Sequence, residues 1–345
     1  MSAEAPAIDR VRVSISQYVD FHQRGFLIIR GLLSAAEIAE LRTHTEDLMQ
    51  GRLPEQKGGI DGLEAPPAHL SQDEKAQHFL RIHMLHRKLQ LHERYLLHPR
   101  MLDVLQVLIG PDVLAMQSML FLKPPGKPGQ GWHQDSFYIP THPDTLCGAW
   151  AAIDDVDEEN GAMWFAQGSH VEPIYPPREG YGYGDRLVAD LPSVNGVSNS
   201  DDAHNDLAPV ADKYPQVLAI MKAGDVAFFG GHILHRSKRN FSSHRYRRSF
   251  VGHYCNARAY TQWGADIGFD NVHRALCQDP VTRMTNGSHI LARGDTHLPF
   301  AKPRFGTPCA ALVDPQKRRD DSQALLRVQA DTAGGMMDMV PAKAP

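Results

Sequence analysis

The chain has no uninterrupted apolar stretch of the ~18 residues a membrane helix needs, and it opens Met-Ser-Ala-Glu-Ala-Pro-Ala, without a basic start followed by an apolar run. Neither a spanning segment nor a secretory leader is expected, and a cytoplasmic location follows. Cysteine is scarce. Cys147, Cys255, Cys277 and Cys309 show no CxxC spacing and no disulfide-like clustering, so all four read as free thiols in a reducing compartment. The net charge of -4 over 345 residues offers no field suited to nucleic acid or an anionic membrane surface, which leaves a small molecule as the expected partner. Internal repeats are absent, and nothing in the sequence sets an oligomeric state.

What is present describes an ordinary globular protein, 42% hydrophobic and 22% charged. Its length favours one large core with decorations, a single domain over 1–310 with a peripheral charged and then Gly/Met-rich tail over 311–345. Gly25 to Gly31 brackets a short β-rich run. Ser34 with Glu37 is a capping-box signature, and the recurrence of Ile38, Leu41, Thr45 and Leu48 predicts a helix over about 35–49. A further helix opens at Pro99 and ends at Gly110-Pro111. From Val113 the pattern changes to short apolar runs, Val113–Leu122, Cys147–Ile153, Ala162–Ala166, Val226–Phe229 and Arg247–Cys255, with Asn160-Gly161 as a hairpin-turn pair and Gly224-Asp225 opening the fourth run. Helices over about 34–110 followed by strands over about 113–256 predict a mainly β antiparallel sandwich or barrel with a helical flank. Residues 51–71 and 172–215 are long polar excursions that could cover a site.

Gly131-Trp132-His133-Gln134-Asp135 offers a histidine and a carboxylate at i and i+2, on one face if the segment is a strand. His235 lies 100 residues beyond Asp135 and could complete a set of two histidines and one carboxylate, the arrangement that leaves three positions open on a non-haem Fe(II). Such positions can take a bidentate oxo-acid and O₂. The pattern is not unique, because His142 with Asp144 and His204 with Asp206 repeat it among 19 histidines, and an ordinary hydrogen-bonded turn also accounts for His133 and Asp135. Pro143 in the second pair and the polar surroundings of the third argue against both. His232, three residues before His235, competes for the third position. Beyond it, Arg247, Ser249, Val251 and His253 share one face of a strand, and Arg248, Phe250, Gly252 and Tyr254 share the other. An arginine held there can grip the distal carboxylate of 2-oxoglutarate.

Several blocks together resemble the phytanoyl-CoA dioxygenase family: Leu120 to Pro125 ahead of Trp132 to Asp135, Ala149 to Asp155, Glu158 to Phe165 with Gln167 to His170, and Ala223 to Asp225 leading to His235-Arg236-Ser237. The resemblance implies a double-stranded β-helix (jelly roll, cupin-like). It implies His133, Asp135 and His235 as iron ligands, and Arg247 rather than Arg248 as the 2-oxoglutarate anchor, assisted by Ser237. Gln117 and Trp150 fall where related enzymes line the co-substrate pocket. It also implies an Fe(II)- and 2-oxoglutarate-dependent dioxygenase that hydroxylates a substrate C–H bond with release of succinate and CO₂. Halogenating relatives replace the carboxylate with a small residue, so an intact Asp135 implies hydroxylation or a related oxidation. Family members act on acyl-CoA thioesters, amino-acid-like solutes and natural-product scaffolds, and the chain does not select among them. The residues around His83 and His86, with the two excursions, are the candidate substrate contacts. The alternatives are an O₂-independent cupin-like isomerase or hydrolase, which would have no use for the arginine, and a non-catalytic jelly-roll binding protein, which would be expected to have lost a ligand.

Overall fold

The computed structural model describes residues 10–57, 63–178, 191–261, 289–296 and 300–309. Strands β1 (Phe26–Ile29), β2 (Arg81–His83), β3 (Val113–Lys123), β4 (Cys147–Ala152), β5 (Met163–Ala166), β6 (Gln216–Leu218), β7 (Val226–Gly230), β8 (His235–Ser237), β9 (Arg247–Asn256) and β10 (Ile290–Arg293) pair antiparallel throughout. The larger sheet has the order β1-β7-β4-β9-β3-β10, with β2 also paired to β3, and the smaller has the order β6-β5-β8. This is the expected jelly roll. The turn at Asn160-Gly161 forms, but it does not close a hairpin: β4 stays in the larger sheet while β5 joins the smaller one. The glycine, at φ +82°, turns the chain across the gap between the sheets.

Alternation along the larger sheet creates two cores. Ala149 and Ala151 of β4, Phe228 of β7, and Phe250 and Tyr254 of β9 pack outward against Leu41, Leu96, Met101 and Leu105. These come from helices α2 (Ala35–Met49), α5 (Gln90–Leu96) and α6 (Pro99–Leu108). Helix α2 opens with the predicted capping box: Ser34 N–H donates to Glu37 Oε2 at 2.7 Å, and Glu37 N–H donates back to Ser34 Oγ at 3.3 Å. A helix at Ile15–Arg24, opened by a capping box of Ser14 and Gln17, precedes β1 and is not among the elements expected above; it buries only Phe21 and leaves Ile15, Tyr18 and Val19 exposed. The intervening residues of β4, β7 and β9, namely Trp150, Phe229 and Val251, face inward with Met163 and Phe165 of β5.

Strand β3 changes phase partway. Its register against β9 shifts between Ala115 and Gln117, leaving Met116 as the extra residue of a β-bulge. Val113 and Ala115 therefore face the helices, whereas Gln117, Met119 and Phe121 face the interior cavity. Bulges beside functional sites re-aim side chains in this way. At the far side, the buried Glu93 of α5 accepts hydrogen bonds from Phe305 N–H at 3.0 Å and Thr307 Oγ1 at 2.8 Å, holding 300–309 where Arg304 lines the cavity. No described helix is long and apolar enough to cross a membrane, and no described cysteine is in a disulfide. Cys277, the tail 311–345 and parts of both excursions lie outside the described residues.

Candidate metal centre and co-substrate pocket

His133 and His235, far apart in the chain, are joined by reciprocal backbone hydrogen bonds, each N–H donating to the other carbonyl at 3.1 Å. Their rings consequently lie with centroids 4.1 Å apart. Each ring is oriented by the same local device. Nδ1 of His133 donates to the carbonyl of Gly131 at 2.8 Å, and Nδ1 of His235 to that of Ile233 at 3.1 Å. A carbonyl can only accept, so the protons sit on Nδ1 and both Nε2 lone pairs are free for a ligand role. Burial, with His235 alongside, pushes His133 down to about 3 against the opposing pull of Asp135. A neutral imidazole is the form a metal needs.

Asp135 Oδ1 stands 3.7 Å from His133 Nε2 and 3.7 Å from His235 Nε2. Two ligands held at ~2.1 Å by a single ion can be no more than about 4.2 Å apart, so both separations fit one metal. Burial alone would raise the Asp135 carboxyl, but His235, His253 and His133 around it hold it well below the usual carboxylate range. Among the described residues, His133, Asp135 and His235 are the one group of three metal-type side chains whose ligand atoms converge, within 4.8 Å of one another. The donor set fits a divalent iron. The segment 133–135 is not a strand: His133 makes an isolated bridge to His235, and Asp135 begins a short 3₁₀ turn ending at Phe137. Convergence comes from that turn and not from pleat alternation, because the backbone at 131–133 is paired to β8 for only one bridge.

Close backbone approaches fix this loop. A Cβ on Gly131 would sit 1.6 Å from the carbonyl oxygen of Asn199, and one on Gly129 1.7 Å from that of Ser237. Gly131→Ala is expected to cost about 1–3 kcal/mol in urea unfolding and to weaken metal binding, because relief of the clash displaces the segment bearing His133.

The competing histidine patterns resolve into structural roles. His232 donates from Nδ1 to the Glu172 carbonyl at 2.7 Å and pairs through Nε2 with Asp144, whose other oxygen accepts from Ser136 Oγ at 3.2 Å. The competitor for the third ligand and a decoy carboxylate are therefore partners, clipping the turn after Asp135 to the segment before His235. His204 pairs with Asp201 on the surface. Burial acts to lower the His232 pKa, but the hydrogen bond and charge of Asp144 outweigh it and raise the value above 6.5. A raised folded-state value stabilises the protein fully below about 6.5 and ceases to do so as pH rises through that raised value. Chemical unfolding at about pH 6 and about pH 9 should show this loss, at most about 1 kcal/mol for a partly exposed pair, and Asp144→Asn should remove it.

A cavity of about 1100 Å³ opens over the triad. Arg247, Val251 and His253 of β9 line it, as do Gln117, Trp150 and Ser237. Arg248 points the other way and is paired with Asp154 at 2.7 Å and Glu46 at 3.0 Å. Arg247 is 4% exposed, forms no ion pair with any described residue, leaves its buried Nε without a partner, and lies with Cζ 5.5 Å over the Trp150 ring. Burial pushes its pKa down to about 10. Lys123, opposite Arg247 in the β3–β9 register, was missed from sequence; it donates to Ser237 Oγ at 2.9 Å and to the Lys238 carbonyl at 2.7 Å. Burial first, and then Arg247, push it down to about 5. The buried guanidinium, charged at neutral pH and without an ion-pair partner among the described residues, is thus the receptor for an anion, and the uncharged Lys123 holds Ser237 beside it. Its signal was available in the run Leu120 to Pro125, where a lysine continues the inward-facing alternation. Gln117 faces the cavity and its Nε2 lies 2.9 Å from His83 Nδ1, while the buried His86 turns instead to Ser118 Oγ at 2.8 Å. Of the two excursions, Ser198 of the second reaches the cavity.

Known proteins bear on this geometry. The family model for phytanoyl-CoA dioxygenase matches residues 21–249. The peroxisomal phytanoyl-CoA dioxygenase of Bos taurus is 26% identical over 254 residues, covering 72% of this chain and 70% of the bovine protein. Among solved structures, the epimerase SnoN in complex with Fe³⁺, alpha-ketoglutarate and nogalamycin RO has a TM-score of 0.54 at 20% identity, covering 86% of this chain and 96% of that one. EctD from S. alaskensis with 2-oxoglutarate and 5-hydroxyectoine has a TM-score of 0.52 at 19% identity, covering 75% and 82%. These two share the fold. With its matched region containing the triad and the buried Arg247 alike, the chain belongs to the phytanoyl-CoA dioxygenase family.

Proposed function

We propose that this protein is an Fe(II)- and 2-oxoglutarate-dependent oxygenase that hydroxylates a C–H bond of a small molecule. The observation that carries the reading is the pairing, within one cavity, of a two-histidine, one-carboxylate cluster with a buried arginine that has no acidic partner among the described residues. An O₂-independent metal isomerase or hydrolase gives that guanidinium no role. His133, Asp135 and His235 hold the metal, which when bound supplies O₂ activation coupled to oxidative decarboxylation of 2-oxoglutarate to succinate and CO₂.

The chain's own residues do the rest. Arg247, with Ser237 kept in place by Lys123, binds the distal carboxylate of the co-substrate, and the Trp150 ring shelves the guanidinium. Met119, Phe229 and Val251 keep water from the reacting centre. The remaining volume, beyond what a drug-sized ligand alone needs (roughly 300–1,000 Å³), leaves room for a second molecule beside the co-substrate. Gln117 and His83 offer polar contacts in that space.

Succinate formation tests the reading without a known substrate. Apo-protein given Fe(II), 2-oxoglutarate, ascorbate and air should form succinate slowly and show metal-to-co-substrate charge-transfer absorption, both lost in His133→Ala. Absence of the absorption from wild type that still binds a divalent metal would overturn the assignment.

A further inference from the structure

We infer that His253 is a positioning residue that restricts Asp135 to one coordinating oxygen. The inference rests on the metal assignment above. Asp135 presents Oδ1 to both ligand histidines at 3.7 Å, while Oδ2 lies 3.2 Å from Nε2 of His253. The His253 ring is buried, and its Nδ1 has no hydrogen-bond partner among the described residues. A proton on Nδ1 would be stranded there without an acceptor, at a cost of about 1–3 kcal/mol, whereas a proton on Nε2 is received by a carboxylate. The tautomer is thereby set, and His253 donates to Oδ2.

The donation occupies the oxygen that would otherwise turn toward the metal. A carboxylate free at both oxygens can chelate and take a second coordination position, one of the three that co-substrate and O₂ must share. Strand register makes the device rigid. His253 sits on β9 between Gly148 of β4 and Gln117 of β3, and the bulge at Met116 is what brings Gln117 opposite it. The Phe229 ring packs over Gly148 on one side and Gln117 is itself engaged with His83 on the other, so the ring has a defined slot.

The test is Co(II) binding to the full-length apo-protein, with affinity from chelator competition and coordination from the d–d spectrum. The variants are His253→Phe, which keeps the ring and removes the N–H, and His253→Gln, which restores an N–H near the original Nε2. Wild type should bind tightly. His253→Phe should bind ~10–100-fold more weakly with an altered d–d spectrum, and His253→Gln should fall within about threefold of wild type with the wild-type spectrum. Equal affinity and spectrum in His253→Phe would overturn the inference, as would equal weakening in both variants, which marks a packing role. If the phenylalanine variant does not fold, the glutamine variant decides: wild-type affinity and spectrum support the inference, and a loss of ~10-fold or more overturns it. Failure of wild type to bind Co(II) is a different result, since it removes the metal assignment itself.

Discussion

Asp135→Ala should abolish Fe(II) binding and reduce succinate formation by more than ~100-fold, because even the loss of a residue that merely supports a ligand costs 10–100-fold in metal affinity or activity. Among the described residues the carboxylate is the sole acidic side chain lining the cavity, so none of them can supply the missing charge there. Asp135→Asn keeps the shape and still offers a carbonyl oxygen, but a neutral one, and should fail almost as completely. Anaerobic Fe(II) titration read beside circular dichroism separates this from misfolding, since the triad lies apart from the outer core that joins the helices to the larger sheet. Retained tight Fe(II) binding in Asp135→Ala would remove this residue from the ligand set and reopen the place of His232.

Arg247→Ala should raise the KM for 2-oxoglutarate ~100-fold while leaving Fe(II) affinity near that of wild type. A charge-assisted bidentate pair is worth roughly 3 kcal/mol, and ~1.4 kcal/mol is tenfold. Lys123 does not substitute, because its Nζ is committed to Ser237 and to the Lys238 carbonyl. Arg247→Lys should recover only part of the loss, since an ammonium lacks the planar fork. A matched series of oxo-acids provides the check: the penalty should vanish for an oxo-acid without a distal carboxylate. An unchanged KM in Arg247→Ala would place the co-substrate anchor elsewhere.

How much of this could be read from the chain follows physical lines. The alternation Arg247, Val251, His253 against Arg248, Phe250, Tyr254 is a local property of an extended backbone, and it separates the two arginines as expected. The capping box of α2 is equally local. What stayed hidden depends on pairing between distant segments. One extra residue at Met116 reverses the phase of β3, and no pattern in the run Val113–Lys123 marks where it falls. The His232–Asp144 pair joins loops 88 residues apart, which is why each looked like a competing ligand when read alone. Alternation on a strand is the simplest way to face His133 and Asp135 together, whereas a 3₁₀ turn achieves it here.

The tryptophans have a practical consequence. Three of the four in the sequence are described, and all three stack with cations near the centre: Trp132 beneath Arg236 at 4.5 Å, Trp150 with Arg247 at 5.5 Å and Trp164 with Lys238 at 4.8 Å. Trp132 is fully buried and precedes His133 directly. Their emission should therefore be quenched when a transition metal enters and should shift again when an anion settles on Arg247. The protein thus carries a built-in optical gauge that could follow loading in a stopped-flow cell, without a label and before any substrate is identified.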